Sequence, residues 1–232
     1  MKRLFFLLLF SCLMSFAVIT QAQYETREAI DLFNSTKMAR GELKTLLTEK
    51  DIEGSPYLND DFIEGTVFTT IKTKYTGVPL RYNIYSDQIE FKAGEGAVQE
   101  LAAPETVEKV EFGEYKMVYI PFAVSKKIRR GFFREMESGD KAVLLTRQQV
   151  LFEDAKKPAA YQEAEPPRFI RKPDDYYIRI GKEPARLISR KKDLEEAFPG
   201  HKKEINSFIK ENKVKPNKPE RLAELVQYYN SL

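Results

Sequence analysis

From Gly54 to Ile188 the chain alternates apolar and polar residues with a period of two, the pattern of strands that bury one face. Val67, Thr69, Ile71, Thr73 and Tyr75 share one face of a first predicted strand, after the turn formers Gly54-Ser55-Pro56 and Asn59-Asp60-Asp61. Thr76-Gly77 reads as a two-residue turn into a strand with Val78, Leu80, Tyr82 and Ile84 on one side. Ser86-Asp87 turns again into Ile89 and Phe91. Links this short make an antiparallel meander. Pro79 has no N–H to donate, so it belongs at an edge or a bulge. Residues 106–112 and 115–120 form a hairpin around Gly113-Glu114. A basic loop then leads into a strand over 132–136, and Ser138-Gly139-Asp140 turns into a long strand over 142–152. Residues 154–174, with prolines at 158, 166, 167 and 173, read as loop. A last hairpin over 176–180 and 185–188 surrounds Gly181-Lys182. Many short strands at this spacing suit a sandwich, a barrel or a curved meander, and the period does not choose among them.

The period changes at both ends. Ile30 with Phe33 over 28–38, and Leu43, Leu46 and Leu47 over 42–47, have partial helical spacing. After residue 189 the helical period is clear. Ser189 can cap a helix through Ala197, which Pro199-Gly200 ends. Ile205, Phe208 and Ile209 share a face of a second helix over 201–212. Asn217-Lys218-Pro219-Glu220 starts a third, with Leu222, Leu225, Val226 and Tyr229 on one face. Helices this short need cover from each other or from the sheet. The expected fold is mainly β, an antiparallel meander, sandwich or barrel, with a C-terminal helical tail, α+β overall. A β-rich domain covers 23–189, and the tail over 190–232 packs on it.

The first 22 residues read as an export signal. Lys2 and Arg3 form the positive start, residues 4–19 are apolar but for Ser11 and Ser15, and Thr20-Gln21-Ala22 places small residues before a cut at Gln23. The apolar stretch is short for a span of about 20 residues, so cleavage is favoured over a retained anchor, and no transmembrane span is expected in the mature chain. The single cysteine, Cys12, lies inside this segment. Bulky Phe10 before it, and seven apolar-rich positions after it, fit a lipoprotein site badly. The mature chain is then cysteine-free, which excludes disulfides, thiolate metal sites and cysteine nucleophiles. Its net charge is about +1, from 38 basic and 35 acidic residues less Lys2 and Arg3, and gives no case for nucleic acid. The expected location is the periplasm or the outer-membrane periphery, or else outside the cell.

Candidate chemistry is sparse. His201 is the only histidine; it has no serine or cysteine motif beside it, and an exposed helix start outweighs a general base. Asp60, Asp61 and Glu64 cluster in an early turn without calcium-loop spacing. Asp174-Asp175 precedes Tyr176-Tyr177, whose rings point to opposite faces of a strand, so one packs in the core. The most concentrated feature is Lys126-Lys127-Ile128-Arg129-Arg130-Gly131-Phe132-Phe133-Arg134, in which five of nine residues are basic and none is acidic. Lys126, Lys127, Arg129 and Arg130 are the candidate contact with an anionic surface, each charge adding about 1 kcal/mol near such a surface. The plainer alternative is a solvated hairpin loop whose charges pair with Glu135, Glu137 or acids of other strands. Of Phe132 and Phe133, one enters the core and the other is left for a membrane or partner. No cofactor or metal motif is present.

Gly54-Ser55-Pro56-Tyr57-Leu58 with Val78-Pro79-Leu80-Arg81-Tyr82-Asn83, and the tail segments Lys191-Lys192-Asp193-Leu194, Lys203-Glu204-Ile205, Phe208-Ile209-Lys210-Glu211-Asn212-Lys213 and Tyr228-Tyr229-Asn230, resemble secreted proteins of uncharacterised function found in Bacteroidota. The resemblance spans most of the mature chain and implies an envelope setting without an activity. The expected function is a secreted, envelope-associated binding or scaffold protein. Its partner is an envelope protein, or an anionic lipid or lipopolysaccharide. The alternative is a carboxylate-dependent hydrolase of an envelope polymer or glycan near Asp60 or Asp174. A hydrolase needs a deep polar pocket that gathers several carboxylates; a scaffold shows a flat or convex face with exposed aromatics.

Overall fold

Val67, Val110 and Met117 face one another across three adjacent strands, and all three are buried. Such a row is what period-two patterning produces when antiparallel strands pair in register. The structure, a computed structural model, describes residues 51–156 and 165–232. The expected signal at 1–22 and the helical spacing over 28–38 and 42–47 lie outside the described residues.

The first strands are β1 (Ile63–Thr69), β2 (Lys74–Asn83), β3 (Gln88–Lys92), β4 (Val98–Glu100), β5 (Val107–Phe112) and β6 (Tyr115–Val124). They are followed by β7 (Lys127–Glu137), β8 (Ala142–Arg147), β9 (Val150–Glu153), β10 (Arg168–Arg171), β11 (Asp175–Ile180) and β12 (Arg186–Leu187). Ten of them form one antiparallel sheet in the order β12-β11-β8-β7-β6-β5-β1-β2-β3-β4, and β9 pairs with β10 in a separate ribbon. The sheet curls into a half-barrel.

Several boundaries differ from the pattern. The alternation from Val67 to Tyr75 is continuous, yet the chain reverses inside it. Lys72 sits at φ +66°, and its N–H donates to the Thr69 carbonyl at 2.9 Å, so the hairpin loop lies between β1 and β2. Thr and Lys suit strand and loop alike, so periodicity does not mark the reversal. Thr76-Gly77 is not a turn. Both residues lie within β2, whose ladder to β1 shifts between Gly65 and Thr66, and Gly77 at φ +68° is the extra residue of a bulge. Pro79 lies opposite Glu64 and just outside the ladder to β3, which begins at Leu80, as an edge position requires. The run from Ala142 to Phe152 breaks after Arg147. β9 leaves the sheet and pairs with β10, which forms inside the region expected to be loop. Gln149 marks the departure: its carbonyl accepts the Lys172 N–H at 2.9 Å, and its side chain donates to Asp175.

The inner face of the half-barrel holds Val67, Leu80, Tyr82, Ile89, Val110, Phe112, Met117 and Phe132. In a flat sheet the four spacings from β2 to β7 would span about 19 Å. Curling removes that distance, and the β2–β3 turn bonds directly to β7 and β8. Asp87, at φ +57°, accepts the Tyr82 hydroxyl at 2.7 Å, the Phe132 N–H at 3.2 Å and Arg147 Nη2 at 2.9 Å. Gly131 makes room for it, since a Cβ there would stand 2.7 Å from Asp87 Oδ2. Burial, and then the Asp87 charge, hold the Tyr82 phenol well above its usual range. A smaller cluster of Phe122, Phe133, Leu145 and Tyr177 forms where the outer half of β6 meets the chain after β11. There the Ala123 N–H donates to Ala185 O, and the Ala185 N–H to Pro121 O, both at 2.9 Å.

The opposite face of β8 and β11 is covered by α1 (Lys191–Ala197), α2 (Lys202–Glu211) and α3 (Pro219–Ser231). Leu222, Leu225, Val226 and Tyr229 of α3 are buried as their spacing predicts, in one cluster with Ala142, Leu144 and Ile178 of the sheet. The Asn230 amide acts as a strand partner for β8: it accepts the Lys141 and Ala142 N–H groups at 3.0 and 2.9 Å and donates to Ala142 O at 2.9 Å. At α1 the cap residue is Arg190, not Ser189. Asp193 reaches back, accepting Ser189 Oγ at 2.9 Å and the Arg190 N–H at 2.8 Å. The Arg190 guanidinium, joined by these donors, lowers the Asp193 carboxyl to about 2.

Candidate functional site

The candidate basic segment lies on the hairpin of β6 and β7, which pair from Met117–Arg134 out to Val124–Lys127. β5 accompanies β6 only as far as Met117, and β8 reaches β7 only from Arg134 onward. The outer half of the hairpin therefore runs past β5 and β8, and its β6 strand is bonded instead to Ala185, after β11. The expected loop is corrected. Lys127, Arg129 and Arg130 are strand residues, and only Lys126 shares the turn with Ser125, which sits at φ +55°. Long basic side chains are at home on an exposed strand, and their polarity hides the alternation. That alternation puts Lys127 and Arg129 on one side and Ile128 and Arg130 on the other.

Ile128 is 59% exposed at this tip. Phe132 and Phe133 point to opposite faces, but both are core residues: Phe132 packs on Tyr82 and Tyr119, and Phe133 on Phe122 and Tyr177. Curling gives the sheet two covered faces here, so neither ring remains for a partner. Glu135 and Glu137, the two nearby acids the sequence named, are engaged elsewhere. Glu135 pairs with Lys116, and Glu137 accepts the Gln227 amide at 3.0 Å. Among the described residues, Lys126, Lys127, Arg129 and Arg130 form no ion pair. Arg130 lies 5.4 Å from the centre of the Tyr119 ring. Arg179, held by the carbonyls of Glu183 and Lys182 at 3.1 and 3.4 Å, is lowered by burial and then by the Arg130 charge. Among the described residues these four charges are therefore not offset by an ion pair.

A second candidate lies beside the β2–β3 hairpin, on the face opposite Tyr82. A cavity of about 300 Å³ is bordered by Ser55, Tyr57, Asp60, Arg81, Tyr85 and Phe169, among others. At its base the Arg81 guanidinium lies 3.6 Å from the centre of the Tyr57 ring and 4.4 Å from that of Phe62. Nε and Nη2 donate to Glu90 Oε2 at 3.1 and 2.7 Å, and Nη1 donates to the Asp60 carbonyl at 3.0 Å. Asn83 Nδ2 donates to the other Glu90 oxygen at 3.0 Å. Glu90 is only 1% exposed, so this is a buried charge with every oxygen satisfied. Arg81, Asn83, Glu90, Tyr85 and Phe169 were not among the candidate site residues of the sequence, although Arg81 and Asn83 lie in a segment that carries the resemblance. The available signal was local: Arg81 and Asn83 alternate with buried Leu80 and Tyr82, and Glu90 sits between Ile89 and Phe91.

The other candidates are not brought together. Asp60 borders the cavity and accepts a hydrogen bond from Ser55, whereas Asp61 and Glu64 are exposed outside its lining. Asp174 lies 3.8 Å from Arg171, and Asp175 is raised by burial against the lowering effects of Arg147 and Gln149. Tyr177 packs on Phe122 and Phe133, and Tyr176 on the helical cluster. His201 is exposed at the start of α2, at φ +35°. Glycoside hydrolysis commonly uses two carboxyl groups about 5–9.5 Å apart. Among the described residues Asp60 is the only acid on the cavity lining, and Glu90 beneath it is held by Arg81 and Asn83. Among the described residues no cluster of three His, Cys, Asp or Glu could hold a metal, and no helix is long and apolar enough to cross a membrane.

Comparison with protein families, with curated proteins and with solved structures returned no match.

Proposed function

We propose that this is an exported binding protein of the cell envelope that docks on anionic lipid headgroups through the tip of the β6–β7 hairpin. One observation carries the reading. Lys126, Lys127, Arg129 and Arg130 crown a hairpin that outruns β5 and β8, without an ion pair among the described residues, around an exposed Ile128. Four such charges near an anionic surface add up to about 4 kcal/mol, close to a thousandfold in affinity. Ile128 adds an apolar contact, worth about 1.5–3 kcal/mol if fully buried. The attraction is screened over about 8 Å at physiological ionic strength, so binding weakens with salt. Nothing in the cavity geometry favours the hydrolase alternative.

Sedimentation with anionic and with neutral vesicles tests the reading. The chain from Gln23 should bind anionic vesicles in a salt-sensitive way and neutral ones far less. A variant with Lys126, Lys127, Arg129 and Arg130 all changed to Ser should lose that preference. Equal binding by both proteins, or none by either, rejects the proposal. The mass of the exported protein tests the export step separately: the chain should start at Gln23, and recovery of a species retaining residues 4–19 or lipidated at Cys12 refutes it.

A further inference from the structure

The β1–β2 hairpin ends at the same rim of the sheet as the β6–β7 tip. β1 and β6 are each antiparallel to β5, so they run in one direction and both turn back at one end. Val67, Val110 and Met117 lie in one row, which gives a common level from which to count outward. Ile71 stands four residues beyond Val67, and Ile128, opposite Ala123, stands six beyond Met117. The difference is about 7 Å along the strands, against about 14 Å for the three spacings from β1 to β7. A tilt of the molecule on a flat surface therefore brings both residues to it. The turn between them, Pro104–Thr106, does not stand in the way. The Thr70 N–H donates to Thr106 O at 2.9 Å, which keeps that turn level with the β1–β2 loop.

The loop holds its apolar residue outward. Ile71 is 81% exposed, the most exposed large apolar side chain among the described residues. The backbone around it is pinned. The Thr69 N–H and hydroxyl donate to Thr73 O at 2.9 and 3.0 Å, and the Lys72 N–H donates to Thr69 O at 2.9 Å. A loop already fixed loses little conformational freedom on docking. Charge has a smaller part here than at the β6–β7 tip. Lys72 pairs with Glu108 at 2.6 Å, Lys74 forms no ion pair among the described residues, and exposed Glu105 lies on the intervening turn. One exposed isoleucine is far too small for a stable protein interface, which buries about 1,200–2,000 Å². A bilayer asks less, since it takes up single apolar side chains among its headgroups once charge holds the protein against it.

We propose that the protein meets an anionic lipid surface with two hairpins at once, the β1–β2 loop inserting Ile71 while the β6–β7 tip supplies the charge and Ile128. This rests on the lipid reading of the tip. It adds a second contact, which limits how the molecule can turn on the surface.

The chain has no tryptophan, so one placed at a chosen position reports on that position alone. Ile71→Trp and Ile128→Trp, each in the chain from Gln23, should shift their emission to the blue when vesicles of phosphatidylglycerol and phosphatidylcholine are added, and brominated lipid should quench both. Glu114→Trp, in the β5–β6 turn at the opposite end of the sheet, should do neither. Ile71→Ser should weaken binding to those vesicles about tenfold, with the melting temperature unchanged. A shift at Ile128→Trp without one at Ile71→Trp overturns the second contact and leaves the lipid reading of the tip intact. So does equal vesicle affinity in Ile71→Ser and the wild type. A shift at Glu114→Trp as large as that at Ile71→Trp shows contact without orientation and overturns the proposal as well. Absence of both shifts, with no vesicle binding by the wild type, rejects the two readings together.

Discussion

Arg81–Glu90 and Arg147–Asp87 are two ion pairs on one curled sheet, 2.7 and 2.9 Å long, and they do different work. The first joins directly opposed residues of β2 and β3, nine positions apart in the chain. The second joins residues sixty positions apart and fastens the β2–β3 turn to the far side of the half-barrel. Their surroundings differ as well. Arg81 and Glu90 are 12% and 1% exposed, with aromatic rings on the guanidinium, while Arg147 and Asp87 each keep about a quarter of their surface in water. Breaking the first strands a buried charge; breaking the second releases a long-range fastening. The same pair of residue types thus supports a local hairpin in one place and the closure of the fold in the other.

The largest expected effect comes from Glu90→Ala, which leaves Arg81 and Asn83 buried without their acceptor. Urea unfolding should show a loss of about 3–5 kcal/mol. A loss smaller than that of Asp87→Ala would invert the comparison. Asp87→Ala removes one acceptor from three donors, one of them the buried Tyr82 hydroxyl, and should cost about 2–3 kcal/mol. Hydrogen exchange separates the two variants: Asp87→Ala should release the Phe132 amide, and Glu90→Ala should leave it protected.

Gly131→Ala sharpens the second pair. Its Cβ would press on Asp87 Oδ2, so about 1–3 kcal/mol should be lost. Combined with Asp87→Ala the cost should fall below the sum, as expected when two changes share one contact. Smaller again is the cap of α1. Asp193, lowered to about 2, contributes stability in full above its ordinary value near 3.8, and that contribution disappears as pH falls through about 2. Asp193→Ala should cost about 1 kcal/mol at neutral pH and nothing at pH values below its own titration, as thermal melts along the pH scale would report. The smallest effect belongs to the hairpin tip. Changing Lys126, Lys127, Arg129 and Arg130 to Ser should alter stability by no more than about 0.5 kcal/mol, because these side chains are exposed.

The difference between the two pairs matches what was legible in advance. Arg81 and Glu90 lie in strands that alternation located, and once β2 and β3 form a hairpin their meeting is a matter of register. Asp87 was legible only as a turn residue. Its contact with Arg147 needs the curl of the whole sheet, which no local pattern encodes. The basic segment was found from its composition, but its strand character was hidden because Lys127, Arg129 and Arg130 show no apolar alternation. The cavity was missed because its wall joins Tyr85 to Phe169, from separate hairpins, over a base in which polar residues are paired with one another.

The sequence by itself determined the β-rich middle, the helical faces of the tail, the hairpin at Gly113-Glu114 and the concentration of charge near residue 126. Each depends on neighbours within a few positions, where the period of the chain places side chains on one face or the other. Tertiary structure alone decided where the strand over 67–75 reverses, that β9 leaves the sheet for β10, that both Phe132 and Phe133 are covered, and that Asp87 closes the half-barrel. Those outcomes depend on which distant surfaces are available to bury an apolar face or satisfy a polar group, and that is settled only when the sheet curls on itself.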